Sequence, residues 1–335
     1  MQGIKRTIDK NVPYLIDKIG YLINPFILNF KNENNHLLIF YFHGLYKSQK
    51  EKDLAHTDPQ NNITVCQLAE FIDYFLNHNY HFLKPEDLLS DLRSDQAYVM
   101  ITFDDGYFNN TLALDVLNKY KVPAAFFITT KNVIENKSFW WDIIYKYRTK
   151  DRISLEAIRK EQAHLKNFKY PYINQYIEEN FGANSDGPWS DVDRPMNAAE
   201  LKEVSRNPFI SIGNHTHNHS ILTNYNKEEI VEEFAISNKI ILDITGKLPI
   251  STAFPNGNYN DLVLKTVEEM EFRFAFTTKN SINMLPIEGD KINYLNRFMA
   301  KPINVKRYVT FDRLGYNPRS LYFNLMKQRP SFKKK

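Results

Sequence analysis

Short, wholly apolar runs alternate with amphipathic stretches along most of this chain. LLIFYF at 37–42, YVMITF at 98–103 and AAFFIT at 124–129 have the length of buried strands. The segments 63–78 and 226–244 repeat their apolar residues at helical spacing instead. Strands that are apolar on both faces are typical of parallel sheets covered by helices. The pattern predicts an α/β fold, and roughly seven such units fit a closed or nearly closed barrel.

Three parts of the chain fall outside this alternation. Residues 1–36 are predicted to be an N-terminal helical extension, and residues 305–335 a C-terminal extension with a basic tail. The barrel is then expected to occupy 37–304. Within it, the polar and mostly helix-patterned stretch 138–200 is predicted to be an insertion between two strands.

Glycine and cysteine content exclude several classes of site. The single cysteine can form neither an internal disulfide nor a zinc ribbon, so a metal site must use oxygen and nitrogen ligands. No two of the 11 glycines lie within two residues of each other, which excludes GxGxxG and GxSxG motifs. Gly182 and Gly187 have P-loop spacing, but Pro188 stands where a lysine is needed.

The net charge of +4 comes from the C-terminal residues KQRPSFKKK, and residues 1–326 are nearly neutral. A nearly neutral body argues against nucleic-acid binding. The basic tail is expected to be a solvated end, with weak contact to an anionic membrane surface as the alternative. No apolar stretch approaches the ~18 residues of a membrane span, and no signal peptide is evident. The expected location is cytoplasmic, with peripheral attachment at the inner membrane face as the alternative.

The first motif that could carry chemistry is TFDDG at 102–106, at the end of a predicted buried strand. Neighbouring side chains on a strand point in opposite directions. Asp104 and Asp105 can therefore divide two tasks, one binding a metal ion and the other acting as a base. Catalytic groups of barrel enzymes lie at such strand ends. The alternative is an ordinary Asp-Asp-Gly turn.

The second motif is HTHNH at 215–219, which follows another predicted strand. His215 and His219 are four residues apart, so one helical turn would present both imidazoles on one face, with His217 as a bystander. The alternative is a solvated histidine-rich loop. Together with Asp105, the two histidines would form a two-histidine, one-carboxylate site, the form of a catalytic zinc, iron or cobalt site.

These motifs resemble those of the NodB-type polysaccharide deacetylases, carbohydrate esterase family 4. ITFDDG and IGNHTHNHSIL resemble the family's TFDDG and H-[ST]-x-x-H motifs. FYFHG, FWWD and AFPNGNYN, which begin at Phe40, Phe139 and Ala253, resemble segments of its bacterial exopolysaccharide and surface-glycan branch. The resemblance extends over about residues 37–300. It implies a distorted (β/α)7 barrel with a helical insertion, a divalent metal ion and hydrolysis of a sugar N-acetyl group.

The resemblance also implies a role for each matching residue. Asp104 is expected to be the general base, and Asp105, His215 and His219 the metal ligands. The expected metal is Zn²⁺, with Co²⁺, Ni²⁺ or Mn²⁺ as alternatives. Such an ion would polarise the amide carbonyl and activate a water molecule, whose proton Asp104 can accept.

The sequence departs from the family at two positions. No histidine follows His219, although family members usually carry a late histidine that protonates the leaving amine. The acid could be Asp104 acting twice or His43 at the end of the first strand, or the activity has been lost. Ala253 stands where the family has an arginine that orients the base. Arg297 could replace that arginine, and an ordinary surface ion pair is the alternative.

Aromatic and loop residues are candidates for sugar contacts. Tyr259, Pro255 and Asn256, in the AFPNGNYN segment, and Trp141 are predicted to bind substrate. For the tryptophans the alternative is core packing.

The leading hypothesis is a metal-dependent hydrolase that removes an N-acetyl group from a sugar in a bacterial surface polysaccharide pathway. The expected substrate is nucleotide- or lipid-linked. One alternative is a deformylase or another amidohydrolase on the same barrel. The other is a catalytically inactive glycan-binding homologue.

Overall fold

A ten-stranded sheet organises the part of the chain that the computed structural model describes, namely residues 20, 22–60, 63–287, 292–300 and 305–315. The strands are β1 (His36–Phe42), β2 (Leu45–Tyr46), β3 (Ile63–Thr64), β4 (Tyr80–Leu83), β5 (Ala97–Phe103), β6 (Ala124–Ile128), β7 (Ile210–Asn214), β8 (Ser251–Ala253), β9 (Phe274–Phe276), β10 (Asn283–Met284), β11 (Asn293–Leu295) and β12 (Phe298–Met299).

The α-helices are α1 (22–28), α2 (Gln49–Lys52), α3 (Val65–Leu76), α4 (Ala113–Tyr120), α5 (Thr130–Glu135), α6 (Trp140–Lys150), α7 (Leu155–Leu165), α8 (Tyr170–Phe181), α9 (Ala198–Ser205), α10 (Lys227–Thr245), α11 (Asp261–Glu268) and α12 (Val305–Leu314). Short 3₁₀ turns occur at Pro85–Leu89, Phe108–Leu112, Leu222–Asn224 and Pro255–Gly257.

The strand order gives the sheet its barrel form. The strands follow the order β10-β1-β5-β6-β7-β8-β9-β11, with β4 paired to β5 and β12 paired to β1. All of these pairs are parallel except β10 with β1. Since β11 pairs with β9 and β12 pairs with β1, the short segment 293–299 joins the last strand to the first. The predicted α/β barrel is confirmed in this nearly closed form.

The apolar runs explain why the strands are central. Both β1 and β5 are buried at every position after their first residue, as expected for strands covered on both faces. Helix α3 packs its apolar face on β1, where Phe71 and Phe75 lie 5.0 and 5.5 Å from the ring of Phe40. A capping box between Thr64 and Gln67 fixes the start of this helix.

The predicted insertion contains helices α6, α7 and α8, which pack around their own apolar cluster. A fully buried ion pair joins Lys146 Nζ to Asp193 Oδ2 at 2.8 Å. The same ammonium also donates to Ser138 Oγ and to the carbonyl of Gly187, so all three of its hydrogens have acceptors. The predicted domain boundaries stay predictions.

Two predictions about the ends of the chain lie outside the described residues: much of the N-terminal extension and the basic tail. Within the described ranges, no helix combines the length and apolar character needed to cross a bilayer.

Candidate active site and metal centre

The predicted catalytic residues meet at the carboxyl ends of parallel strands. His43 follows β1, the pair Asp104-Asp105 follows β5, and His215 follows β7. Parallel strands bring their carboxyl ends to one edge of the barrel. These residues line a cleft of about 740 Å³, to which Trp141 of the predicted insertion also contributes.

Asp104 forms a bidentate ion pair with Arg297. Arg297 Nη1 lies 2.7 Å from Asp104 Oδ1, and Nη2 lies 2.9 Å from Oδ2. Burial by itself raises the pKa of the Asp104 carboxyl, but the nearby guanidinium and the imidazoles of His215 and His43 outweigh burial and hold that pKa below its usual range. Asp104 is therefore a carboxylate at neutral pH.

Arg297 occupies this position because it lies between β11 and β12, where the chain closes the barrel. Its side chain is fully buried. Besides Asp104, it donates to Thr102 Oγ1 at 3.1 Å and to the carbonyl of Thr277 at 3.0 Å. The guanidinium carbon also lies 4.8 Å from the centre of the Tyr41 ring. The ion pair of Arg297 is therefore buried, unlike the surface pair considered as the alternative. The catalytic role of Arg297 stays a prediction.

Asp105 faces the two histidines instead of the arginine. Its Oδ1 atom lies 3.4 Å from Nε2 of His215 and 3.3 Å from Nε2 of His219. One potential ligand atom from each of the three residues lies within 4.8 Å of the others. The backbone of Asp105 is left-handed, with φ of 75°, which is unusual for a residue other than glycine. This conformation directs the Asp105 side chain away from that of Asp104.

The hydrogen bonds of this cluster fit a site for a cation. His215 Nδ1 lies 2.8 Å from the carbonyl oxygen of Ala253, which places a hydrogen on Nδ1, so the neutral form of the ring has its lone pair on Nε2. Burial lowers the pKa of His219 despite Asp105, which favours its neutral form. Asp105 Oδ1 is buried without a hydrogen-bond partner among the described residues. Converging lone pairs around an unsatisfied carboxylate oxygen fit a divalent metal ion.

Burial also acts on Asp105 itself. It raises the pKa of this carboxyl, but His43, His215 and His219 lower it by more, and the net pKa lies far below the usual range. Asp105 is therefore ionised, which is the state that a metal ligand requires.

The helical turn expected at 215–219 is wrong, because these residues form an irregular loop. The backbone is left-handed at Thr216 and His219, with φ of 64° and 51°. Backbone donors bond to side chains here: Thr216 N donates to Asn214 Oδ1 at 2.7 Å, and Ser220 N donates to Thr216 Oγ1 at 2.9 Å. Such local bonds replace the helical pattern, yet both imidazoles still reach Asp105.

Glu233 of α10 holds the middle of this loop. Its carboxylate accepts from the backbone N–H groups of His217 and Asn218 at 3.1 and 2.9 Å, and from the Asn218 side chain at 2.6 Å. The His217 side chain points away from Asp105, and its Nδ1 atom lies 3.0 Å from Thr130 Oγ1. Sequence reasoning missed Glu233, since a glutamate in a charged helix gives no sign of this function.

His43 lies on the other side of Asp105. Its Nε2 atom is 3.9 Å from Asp105 Oδ2, and its side chain is 16% exposed, so a bound molecule can reach the imidazole. His43 is therefore placed where an acid could protonate the leaving amine, and this role stays a prediction.

The predicted substrate residues divide into two groups. Trp141 and Asn256 line the cleft, and the Trp141 ring lies 4.5 Å from that of His219. Tyr259 packs against Phe254 at 5.7 Å and is 40% exposed, and neither it nor Pro255 is among the described residues that line the cleft. The substrate contacts of Tyr259 and Pro255 stay predictions.

A buried network behind Trp141 also escaped sequence reasoning. Trp141 Nε1 donates to the Tyr107 hydroxyl at 2.9 Å, and this hydroxyl donates to Asp142 Oδ2 at 2.6 Å. Asp142 Oδ1 accepts from the backbone N–H of Asp58 at 2.7 Å. Burial raises the pKa of Asp142 well above its usual range. The network fixes Trp141 and the loop carrying Asp58, and only the FWWD motif could have suggested it.

Comparisons with known proteins agree with this geometry. A family model described as polysaccharide deacetylase matches residues 91–275, more than half of the chain. No curated protein matches the chain.

Among solved structures, a polysaccharide deacetylase from Bacillus cereus is similar, with a TM-score of 0.55 and 18% identity, over 83% of this chain and 69% of that one. The deacetylase PplD of Streptococcus pyogenes, in complex with acetate, gives a TM-score of 0.56 at 17% identity, covering 82% and 97% of the two chains. IcaB from Ammonifex degensii gives a TM-score of 0.55 at 15% identity, over 84% of this chain and 98% of that one. At these identities the structural likeness concerns the fold.

Proposed function

Because the chain belongs to the polysaccharide deacetylase family, whose members are N-deacetylase hydrolases, we propose that it removes the acetyl group from an N-acetylated sugar with the help of a divalent metal ion. The observation that carries this proposal is the pair of neighbouring acids. Asp104 is fixed and ionised by Arg297, and Asp105 lies unsatisfied beside two imidazoles.

The metal ion would be held by Asp105 Oδ1 and by the Nε2 atoms of His215 and His219. One carboxylate oxygen and two imidazole nitrogens suit Zn²⁺, with Co²⁺, Ni²⁺ or Mn²⁺ as alternatives. When bound, such an ion polarises the amide carbonyl and makes a water molecule more acidic. The hydrogen bond from His215 to Ala253 supports this assignment, since metal-binding histidines commonly donate their second N–H to a carbonyl.

Asp104 would be the general base. The water that attacks the acetyl carbon must lose a proton, and a carboxylate in the cleft can accept it. Arg297 keeps Asp104 ionised and restricts its rotation through two hydrogen bonds. Each carboxylate oxygen has a second lone pair, so the ion pair leaves a site for the proton.

The leaving amine needs a proton when the carbon–nitrogen bond breaks. Asp104 holds one after the first step and can return it to the amine nitrogen. His43, which lines the same cleft, is the second candidate. In either case the products are acetate and a sugar with a free amino group, so the atoms of one water molecule and one acetamide are accounted for.

The substrate belongs, in this proposal, to a bacterial surface-glycan pathway. Support comes from the resemblance of FYFHG, FWWD and AFPNGNYN to the exopolysaccharide branch of the family. Trp141 and Asn256 are the residues proposed to contact the sugar, because both line the cleft.

Acetate release tests the proposal. The full chain, stripped with a chelator and then loaded with Zn²⁺, Co²⁺, Ni²⁺ or Mn²⁺, would be incubated with nucleotide-linked, lipid-linked and free N-acetylated sugars. We expect acetate from at least one class of sugar, only after metal is restored. Formate release from an N-formyl sugar in place of acetate would favour the deformylase alternative. Sugar binding without any hydrolysis would favour the inactive homologue.

A further inference from the structure

One face of α7 forms a wall of the catalytic cleft. The cleft-lining residues at this wall are spaced by three, four and seven positions, which places them on one face of a helix: Arg159, Gln162, Ala163 and Lys166. Ile158 and Leu165 are buried in the cluster of the predicted insertion and fix the helix against its neighbours. Helix α7, through Arg159, and its C-cap residue Lys166 therefore present two cations to the cleft.

Within the described residues, no carboxylate lies at ion-pair distance from Arg159 or Lys166, and the Asp58 carboxylate acts on both cations only at longer range. Lys166 Nζ donates instead to the neutral Asn256 Oδ1, at 2.6 Å across the cleft. Burial lowers the pKa of Lys166, although Asp58 and Asp105 counteract it. A half-buried ammonium without a carboxylate gains from an anionic ligand.

The acids of the cleft are occupied elsewhere. Asp104 is paired with Arg297, and Asp105 belongs to the metal cluster. Among the described residues of the cleft wall, Asp58 is the remaining acid, and its Oδ2 atom accepts from Gln162 at 2.8 Å. With a divalent ion bound, the cleft would therefore carry more positive than negative charge.

We propose that Arg159 and Lys166 bind a phosphate group on the substrate, so that the sugar is recognised as a phosphate or diphosphate ester and not as a neutral polysaccharide. This inference rests on the proposed deacetylase function. The two side chains leave α7 about 10 Å apart along its axis. Two long cationic side chains that start this far apart can reach different oxygens of one phosphate or diphosphate group, whereas a carboxylate offers only two oxygens. Arginine adds a fork of donors that matches phosphate geometry.

The test compares two substrates of the same sugar. We would measure kcat/KM of the metal-loaded chain for UDP-N-acetylglucosamine and for neutral N-acetylglucosamine oligomers. Arg159→Gln and Lys166→Gln are each expected to lower the preference for the charged substrate about tenfold, through KM, since a charge-assisted hydrogen bond contributes about that factor.

Lys160→Gln is the matched control. Lys160 lies on the same helix but outside the cleft, with its side chain 76% exposed and paired with Glu156. The Lys160→Gln variant loses the same charge as Lys166→Gln and should keep the wild-type preference for the charged substrate. An equal fall in preference for Lys160→Gln, or no fall for Arg159→Gln and Lys166→Gln, would overturn the phosphate site.

Equilibrium binding separates this inference from the proposed function. UDP-N-acetylglucosamine would be titrated into the Asp104→Asn protein and into the same protein with Lys166→Gln. Weaker binding with Lys166→Gln supports the phosphate site even if no sugar is deacetylated. Equal binding by the two proteins refutes the phosphate site, whether or not the wild-type chain deacetylates a sugar. The same sugar on a polyprenyl diphosphate in detergent micelles identifies whether nucleotide or lipid carries the phosphate. Tighter binding of an N-acetylated oligomer containing uronic acid would contradict the phosphate class.

Discussion

Asp104 and Asp105 are neighbours in sequence, yet their surroundings are opposite. The arginine side of the site, formed by Asp104, Thr102 and Arg297, is closed by hydrogen bonds of 2.7 to 3.1 Å. The histidine side, formed by Asp105, His215 and His219, brings ligand atoms together around a carboxylate oxygen that lacks a hydrogen-bond partner among the described residues.

The difference shows how one dipeptide can serve two functions. The left-handed backbone at Asp105 turns its carboxylate away from Arg297 and towards the histidines. A carboxylate with a complete set of partners keeps its charge and position without a metal. A carboxylate facing imidazole lone pairs needs a cation to become stable. We therefore expect mutations on the arginine side to affect turnover and stability, and mutations on the histidine side to affect metal binding.

The largest expected effect is on turnover in Asp104→Asn. The amide cannot accept the proton of the attacking water, so kcat should fall by roughly 10²- to 10⁴-fold. Metal content should remain at the wild-type level, since Asp104 lies on the arginine side. Acetate release measured beside metal analysis checks both points. Turnover at the wild-type rate would exclude Asp104 as the base.

Arg297→Met should destabilise the fold by about 3–5 kcal/mol, because it leaves a buried carboxylate without its partner. The free energy of unfolding in urea measures this loss. Arg206→Met is the control, since Arg206 forms an exposed pair with Glu203 that contributes about 0–1 kcal/mol. Adding Asp104→Leu to Arg297→Met should restore part of the stability. An unchanged free energy in Arg297→Met would contradict the closed arrangement of the arginine side.

His43→Ala tests the proton donor. If His43 protonates the amine, kcat should fall about a hundredfold, and the alkaline limb of the pH–rate profile should change. A retained profile with a modest loss of rate would assign the acid role to Asp104. Metal content should stay high in either case, because His43 lies outside the proposed ligand set.

Glu233→Ala has the smallest expected effect, about a tenfold weaker metal affinity. The substitution removes the acceptor of the His217 and Asn218 backbone donors and loosens the loop that carries the two proposed histidine ligands. Competition with a chelator measures the affinity. Glu232→Ala, on the same helix, is the control and should bind metal as the wild type does. Equal affinity in both variants would show that Glu233 does not support the site.

The barrel could be predicted because its strands are marked by local composition. LLIFYF and YVMITF became β1 and β5 at nearly their predicted bounds, since both faces of a parallel strand are buried. The segment PEDLLSDL at 85–92 begins with residues that favour a helix, yet only Pro85–Leu89 form a short 3₁₀ turn. Propensity alone does not separate one helical turn from a longer helix.

The site could be predicted only where a sequence motif lies at the end of a strand. TFDDG and HTHNH follow β5 and β7, so the convergence of Asp105, His215 and His219 could be expected. The irregular loop at 215–219 could not, because it depends on Glu233, which is brought in by α10. The α7 face had a signal in its spacing, but only tertiary packing directs that face into the cleft.

Metal content of the purified full chain tests the division between the two acids most directly. Zinc would be added to wild type, Asp104→Asn and Asp105→Asn, and bound metal counted after gel filtration. We expect about one equivalent in the first two proteins and close to none in Asp105→Asn, with all three folded by circular dichroism. Retained zinc in Asp105→Asn, or loss of zinc in Asp104→Asn, would contradict the assignment of metal binding to the histidine side.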